Sequence, residues 1–328
     1  MAAAWLIFAG VMLGTLALLC ATLVALMANA LLRPVRMSDA RATWIMKRVS
    51  PADLGLMNFQ DVQFTVRDDR TGKPLPLTGW WIPARGAGVR RTILLIHGYA
   101  DAKIGGIAWA PLLHALGWHI LAIDLRAHGQ SGGVHSTAGF YERHDVGQVI
   151  NQWRAARAAE TETLAIFGVS LGAAVATATA AMRDDVAGIV LESPFGDYRR
   201  AITAHGRMRG LPEGFIRDAA VGLAEWLSGA DFRAVRPEAL IAQVPCPVML
   251  IHAGDDPFVP DDDAIALAEA FRTRGNARDA YWSVPGAGHV LGMAADSGEY
   301  RRRVGAFLNS LVAEGSPAMA REPEAVRE

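Results

Sequence analysis

Only two cysteines stand in the 328 residues, Cys20 and Cys246. The first lies in an apolar run and the second before an expected strand, so neither a disulfide framework nor a Cys-x-x-Cys metal site can be assembled. An excess of charge is missing as well. Lys and Arg number 32 against 33 Asp and Glu, the net charge is −1, and no basic stripe with interleaved aromatics occurs. A nucleic-acid partner is therefore not expected. His-Glu-x-x-His, a Walker loop and Gly-x-Gly-x-x-Gly are all absent, so no metal is expected in the site and nucleotide and dinucleotide chemistry find no support. There is no internal repeat.

What the chain does have is one long uncharged run. Trp5 to Leu32 contains Thr15, Thr22 and Asn29 as its clearly polar members and nothing charged. Crossing a bilayer takes about 20 residues, so this run is long enough with some tilt. A cleaved signal peptide would need a basic leading region and an apolar core of roughly 7–15 residues, and this stretch has neither. Leu19 before Cys20 does not fit a lipoprotein site. The run is apolar on every face, unlike the one-sided stripe of a soluble helix. We therefore expect a retained single-pass transmembrane anchor over residues 1–37, with 5–32 in the membrane. Arg33, Arg36, Arg41, Lys47 and Arg48 follow the span, which places the rest of the chain on the cytoplasmic side by the positive-inside rule.

Function enters at Thr163-Leu-Ala-Ile-Phe-Gly-Val-Ser-Leu-Gly172. A short buried strand runs directly into Gly168-Val169-Ser170-Leu171-Gly172, and the small-residue stretch Ala173 to Met182 reads as a helix. Gly-x-Ser-x-Gly alone is a weak signal in a chain with 33 glycines; in a strand–turn–helix context it describes a nucleophile elbow. Tight turning leaves little room for side chains beside the serine, which is what the glycines provide.

Apolar strands alternate with helices around it. Val62–Val66 and Leu77–Ile82 flank an Asp- and Gly-containing turn and read as a hairpin. Continuous apolar strands follow at Arg91–Ile96, Trp118–Leu125, Val186–Leu191, Cys246–Ile251 and Tyr281–Val284, with helices at Ile104–Leu116, Tyr141–Ala159, Asp261–Arg274 and Glu299–Val312. Such alternation calls for an α/β fold: a mostly parallel sheet with helices on both faces. Phe195 to Gln243 has no strand pattern, only helical pieces near 197–208 and 215–227.

A serine nucleophile needs a histidine base and an orienting acid, in the chain order serine, acid, histidine. Of nine histidines only His205, His252 and His289 follow Ser170. His289, in Pro285-Gly-Ala-Gly-His289 just past the last strand, is the one placed to reach back over the sheet. The acid should leave a strand end, as Asp255 and Asp256 do in His252-Ala-Gly-Asp-Asp-Pro-Phe-Val-Pro260.

The elbow, His97-Gly98, the Asp124–Ser131 loop, this acidic segment and Gly288-His289 together resemble the α/β-hydrolase superfamily, in particular its serine-aminopeptidase-like branch of monoacylglycerol-lipase- and carboxylesterase-type enzymes. The resemblance runs from about Asp61 to Val312. It implies that the acid stands three residues before a Val-Pro pair, at Asp256, with Asp255 the alternative. Ala253, where the branch usually has glycine, departs from the pattern. It also implies an oxyanion hole from the backbone N–H groups of Tyr99 and Leu171, a loop-fixing role for His97, a structural network at Asp124, Arg126, His128 and Ser131, and a short helical cap at 194–243. The expected organisation is an anchor at 1–37, a linker at 38–60, an α/β-hydrolase domain at 61–313 and a disordered tail at 314–328.

These readings predict a membrane-anchored serine hydrolase that cleaves acyl esters through an acyl-enzyme, acting on a small-molecule or lipid-like substrate. A triad supplies nucleophile, base and electrostatics from the protein itself, so no cofactor is expected. Peptide or amide cleavage, acyl transfer and a catalytically silent tethered scaffold are the alternatives.

Overall fold

The computed structural model describes residues 1–312; the expected tail at 314–328 lies outside them. The chain opens with α1 (Ala2–Leu32), then α2 (Asp39–Met46). Strands β1 (Gln60–Arg67), β2 (Pro74–Ile82) and β3 (Arg91–Ile96) follow, then the short helices α3 (Lys103–Gly106) and α4 (Ala110–Ala115), and β4 (His119–Ile123). Next come α5 (Glu142–Ala156), β5 (Thr163–Val169), α6 (Leu171–Ala180) and β6 (Gly188–Glu192). Helices α7 (Tyr198–Met208), α8 (Phe215–Ser228) and α9 (Pro237–Leu240) separate β6 from β7 (Val248–Ala253). The domain closes with α10 (Asp261–Arg272), β8 (Ala280–Val284), α11 (Gly292–Ala295) and α12 (Ser297–Ser310).

The eight strands form one sheet in the order β1-β2-β4-β3-β5-β6-β7-β8. The hairpin β1–β2 joins β4 antiparallel, and every other pairing is parallel, so the sheet is mixed. Strand side chains alternate between faces, and the two cores follow that alternation. Leu94, Ile96, Ile166 and Leu191 pack with α5, α6 and α10 on one face. Ile93, Leu95, Phe167 and Val190 pack with α3, α4 and α12 on the other.

The helix expected over Ile104–Leu116 is broken into α3, a 3₁₀ turn at Ile107–Trp109, and α4. Gly105-Gly106 and Pro111 interrupt it. A Cβ at Gly105 would overlap the Asp101 carboxylate, so a larger residue there would have to displace that side chain. Ser38 to Leu56, read as linker, contains α2, capped by the Ser38 hydroxyl accepting from Arg41 N–H at 3.3 Å. A 3₁₀ turn at Pro51–Leu54 follows it.

Among the described residues, α1 is the one helix long and apolar enough to cross a membrane. Its first two-thirds, up to Thr22, stand almost entirely exposed, whereas Met27, Ala28 and Leu32 are buried against the domain. Two of the basic residues behind it are committed to the domain. Arg36 donates to the carbonyls of His128, Gly129, Ser131 and Gly133, the shortest contact being 2.6 Å to Ser131, and Arg48 donates to Ile104 at 3.1 Å. Part of the positive flank therefore serves to fasten the segment after α1 to the domain.

Candidate active site

Parallel strands point their C-terminal ends to one edge, and in open α/β sheets ligands gather there. Ser170 leaves β5, Asp256 follows β7, His289 follows β8, and His97-Gly98-Tyr99 follows β3. Ser170, Asp256, His289 and Tyr99 thus come to the same edge.

Ser170 sits at φ 53° and ψ −113°, a conformation that costs a non-glycine residue about 1–3 kcal/mol. The surroundings hold it there. Ser170 N–H donates to the Glu192 carbonyl at 2.8 Å, and its own carbonyl receives Ala173 N–H at 2.9 Å. A Cβ at Gly168 would overlap the Gly172 carbonyl, and one at Gly172 would overlap the Ile96 carbonyl. Both glycines are required because α6 turns back directly against β5, which it follows, and against β3 beside it.

His289 Nε2 lies 2.9 Å from Ser170 Oγ, and His289 Nδ1 lies 2.7 Å from Asp256 Oδ2. The Asp256 side chain is fully buried. Its other oxygen accepts from Phe258 N–H at 2.9 Å and Val259 N–H at 3.2 Å, which fixes the carboxylate plane. The Asp255 side chain is exposed, and among the described residues it bonds to no residue of the site; its backbone N–H donates to the Ala287 carbonyl at 2.9 Å. Val290 N–H donates to Ser193 Oγ at 3.0 Å, anchoring the loop behind His289. Among the described residues neither His205 nor His252 hydrogen-bonds to Ser170, although His205 lines the same cavity. His205 Nδ1 pairs with the Ala201 carbonyl, and its ring packs on Phe258, which in turn packs on His289.

Leu171 opens α6, where backbone N–H groups lack intrahelical partners. Among the described residues neither Leu171 N–H nor Tyr99 N–H donates to another group, so both are free for a developing oxyanion. His97 shapes the Tyr99 loop. Its Nε2 accepts from Leu125 N–H at 3.0 Å, so its Nδ1 carries the proton and donates to the Gly98 carbonyl at 2.7 Å. Burial, helped by the neighbouring His128, holds its pKa down to about 3, and the ring stays neutral as that bonding pattern requires. The Asp124 loop is equally committed: Asp124 binds Lys103, Thr78 and Gln130, Arg126 binds Asp145, and Ser131 Oγ donates to the Asp124 carbonyl.

Behind the histidine loop lies a carboxyl that sequence reading passed over. Glu192 ends β6, is fully buried, and accepts from Tyr300 Oη at 2.7 Å while Tyr300 accepts from Trp109 Nε1 at 2.9 Å. Burial pushes its pKa up to about 7 from 4.5. The folded state therefore binds the Glu192 proton more tightly than the unfolded chain does. This contribution is fully present below about pH 4.5 and is lost as pH rises through about 7. Glu192→Gln is expected to melt with the wild type at pH 5 and several degrees above it at pH 8.5. Equal melting curves at both pH values would show that Glu192 ionises at no cost.

Ser170, His289 and Tyr99 open into a cavity of about 1000 Å³. Leu26, Met27, Phe195, Ile202 and Phe258 make apolar wall, and Arg33, Arg41 and Arg209 line it with charge. Asp101 is the acidic residue of that lining. Pattern reading could not find this set, because its members come from α1, α2, the β3 loop, α7 and the β7 loop. Among the described residues no cluster of His, Cys, Asp or Glu could hold a metal ion.

Comparison with known proteins agrees with this architecture. Residues 87–228 match the family described as "Serine aminopeptidase, S33"; the match contains the elbow and stops before Asp256 and His289. An uncharacterized protein of Bacillus subtilis, YqkD, is 27% identical over 67% of this chain and 72% of its own length. Lysophosphatidylserine lipase ABHD12 of mouse is 27% identical over 67% of this chain, a match spanning 58% of the mouse protein. The esterase Pf2001 of Pyrococcus furiosus superposes with a TM-score of 0.68 at 24% identity, over 85% of this chain and 98% of that structure, and so shares the fold. Residues 87–228 thus form a serine-aminopeptidase-family domain of the α/β-hydrolase superfamily, and the chain around it has a serine-hydrolase-like α/β-hydrolase fold.

Proposed function

We propose that this chain is a membrane-anchored esterase that cleaves single acyl chains from amphiphilic esters, with Ser170 as nucleophile, His289 as base and Asp256 as the orienting acid. The observation that carries the reading is the continuous Ser170–His289–Asp256 hydrogen-bond chain at the floor of a largely apolar cavity. Asp256 accepts from His289 Nδ1–H, which leaves Nε2 to take the Ser170 proton as Oγ attacks the acyl carbonyl. The N–H groups of Tyr99 and Leu171 receive the resulting oxyanion; such a donor is worth about 2.7–4 kcal/mol in comparable sites. His289 then protonates the leaving alcohol, and water repeats the sequence in reverse on the acyl-enzyme. The apolar wall accommodates an acyl chain. Arg33, Arg41 and Arg209 complement an anionic head group, in keeping with a relative named a lysophosphatidylserine lipase.

The test is a product assay on full-length protein in detergent micelles. Oleoyl esters of glycerol and of glycerophosphates, an oleoyl amide and a short peptide are offered with and without an added alcohol. Release of free oleate from the esters, fastest from the phosphorylated one, is expected. Oleate transferred chiefly to the alcohol would make the chain an acyltransferase, and cleavage of the amide or peptide alone would make it an amidase or peptidase. A folded protein that turns over nothing and does not react with a serine-directed fluorophosphonate would be a tethered scaffold.

A further inference from the structure

The esterase reading leaves open how an insoluble ester reaches Ser170. Helix α1 lines the cavity through Leu23, Leu26, Met27, Ala30 and Leu31. Those positions fall three and four residues apart, on one helix face. The rest of the helix, from Ala2 to Thr22, is exposed apart from the half-buried Cys20. At 1.5 Å per residue it is about 31 Å long, close to the ~30 Å hydrocarbon core of a bilayer. The cavity wall therefore begins where a membrane-spanning segment would end.

That wall is fixed to the domain. Helix ends leave their last carbonyls without intrahelical partners, and here the domain supplies them. Tyr99 Oη donates to the Ala30 carbonyl and lies 3.3 Å from that of Leu31, while Ser136 N–H donates to Leu32 at 2.7 Å. Helix α8 packs along α1. A loose tether would need none of these contacts. Around the cavity, α2 and α8 each add a lining arginine, Arg41 and Arg217, and each also carries an exposed aromatic, Trp44 and Phe215. Tryptophan and the basic side chains suit the membrane–water boundary.

We infer that the last turns of α1 are the inner wall of a lateral entry path, along which the acyl chain of a membrane-resident, single-chain ester slides from the bilayer to Ser170 without passing through water. The proposal rests on the esterase reading and adds that the anchor itself selects the substrate. A helix that is apolar all round serves both ends of the path: its outer turns meet lipid tails, and its inner turns present the same surface to one tail inside the cavity.

The experiment uses full-length protein in phosphatidylcholine nanodiscs and reads the ratio of kcat/KM for an embedded oleoyl glycerophosphoester to kcat/KM for water-soluble p-nitrophenyl butyrate. Leu26→Trp and Ala30→Phe narrow the path at two heights; Leu13→Trp adds the same bulk on the outer turns. The expected result is at least a tenfold fall of the ratio for Leu26→Trp and Ala30→Phe and none for Leu13→Trp. A ratio unchanged in all three, with both esters still cleaved, would overturn the lateral path and leave the esterase reading standing. A wild type that cleaves neither ester would overturn that reading and the path with it.

Discussion

Ser170→Ala is expected to lower kcat for ester hydrolysis by about 10,000-fold or more, and His289→Ala by a similar factor, with little further loss when the two are combined. The non-additivity is the informative part. On the proposed mechanism Ser170 and His289 act as one unit across a 2.9 Å contact, so removing either leaves only the binding and oxyanion contributions. Asp256→Asn should preserve the packing yet offer the wrong hydrogen-bonding partner to His289 Nδ1, costing about 10,000-fold through the tautomer. Asp255→Asn should change kcat less than twofold, because its exposed side chain reaches no residue of the site. Fluorophosphonate labelling and steady-state turnover on the four single variants and the Ser170→Ala/His289→Ala double variant check this together. An active Asp256→Asn beside an inactive Asp255→Asn would reassign the acid, and an active Ser170→Ala would end the serine mechanism.

The elbow around Ser170 was legible in sequence because short-range constraints create it, whereas the choice of Asp256 over Asp255 came from the family resemblance. Gly168 and Gly172 are dictated by the overlap a side chain would have with the neighbouring backbone, and that requirement leaves a five-residue signature around Ser170. His289 stood out by elimination, as the histidine past the final strand. Lys103 was invisible by contrast. Just before a run read as one helix over Ile104–Leu116 it looks like an ordinary solvated charge, and its partner Asp124 is twenty-one positions away. The cavity was equally hidden. An apolar helix has the same composition whether it faces lipid on every side or lends its last turns to a site, so α1 declared its length and not its second role. Tyr99 was found for its backbone N–H; the hydroxyl that ties the same residue to α1 has no sequence signal.

The buried pair supporting the Tyr99 loop is the place where one substitution should cost the fold most. Lys103 Nζ lies 2.6 Å from Asp124 Oδ2, with side chains 5% and 0% exposed. Asp124 accepts in addition from Lys103 N–H, Thr78 Oγ1 and Gln130 N–H, at 2.6, 2.9 and 3.0 Å. The cationic neighbour, with these bonds, keeps its carboxyl below the usual range in spite of burial. Deleting one member of such a pair strands the other charge without water, a loss of about 3–5 kcal/mol. For a domain of this size Asp124→Asn should then lower Tm by about 10 °C. Lys103→Met alone strands the carboxylate instead and should cost as much. Combining it with Asp124→Asn removes both charges, and the double variant should be clearly more stable than the sum of the two losses implies. Thermal melts of the three proteins at one pH give that coupling directly. Strict additivity would mean that the pair contributes through packing alone, and that the loop carrying Tyr99 owes its position to His97 and to the α1 contacts instead.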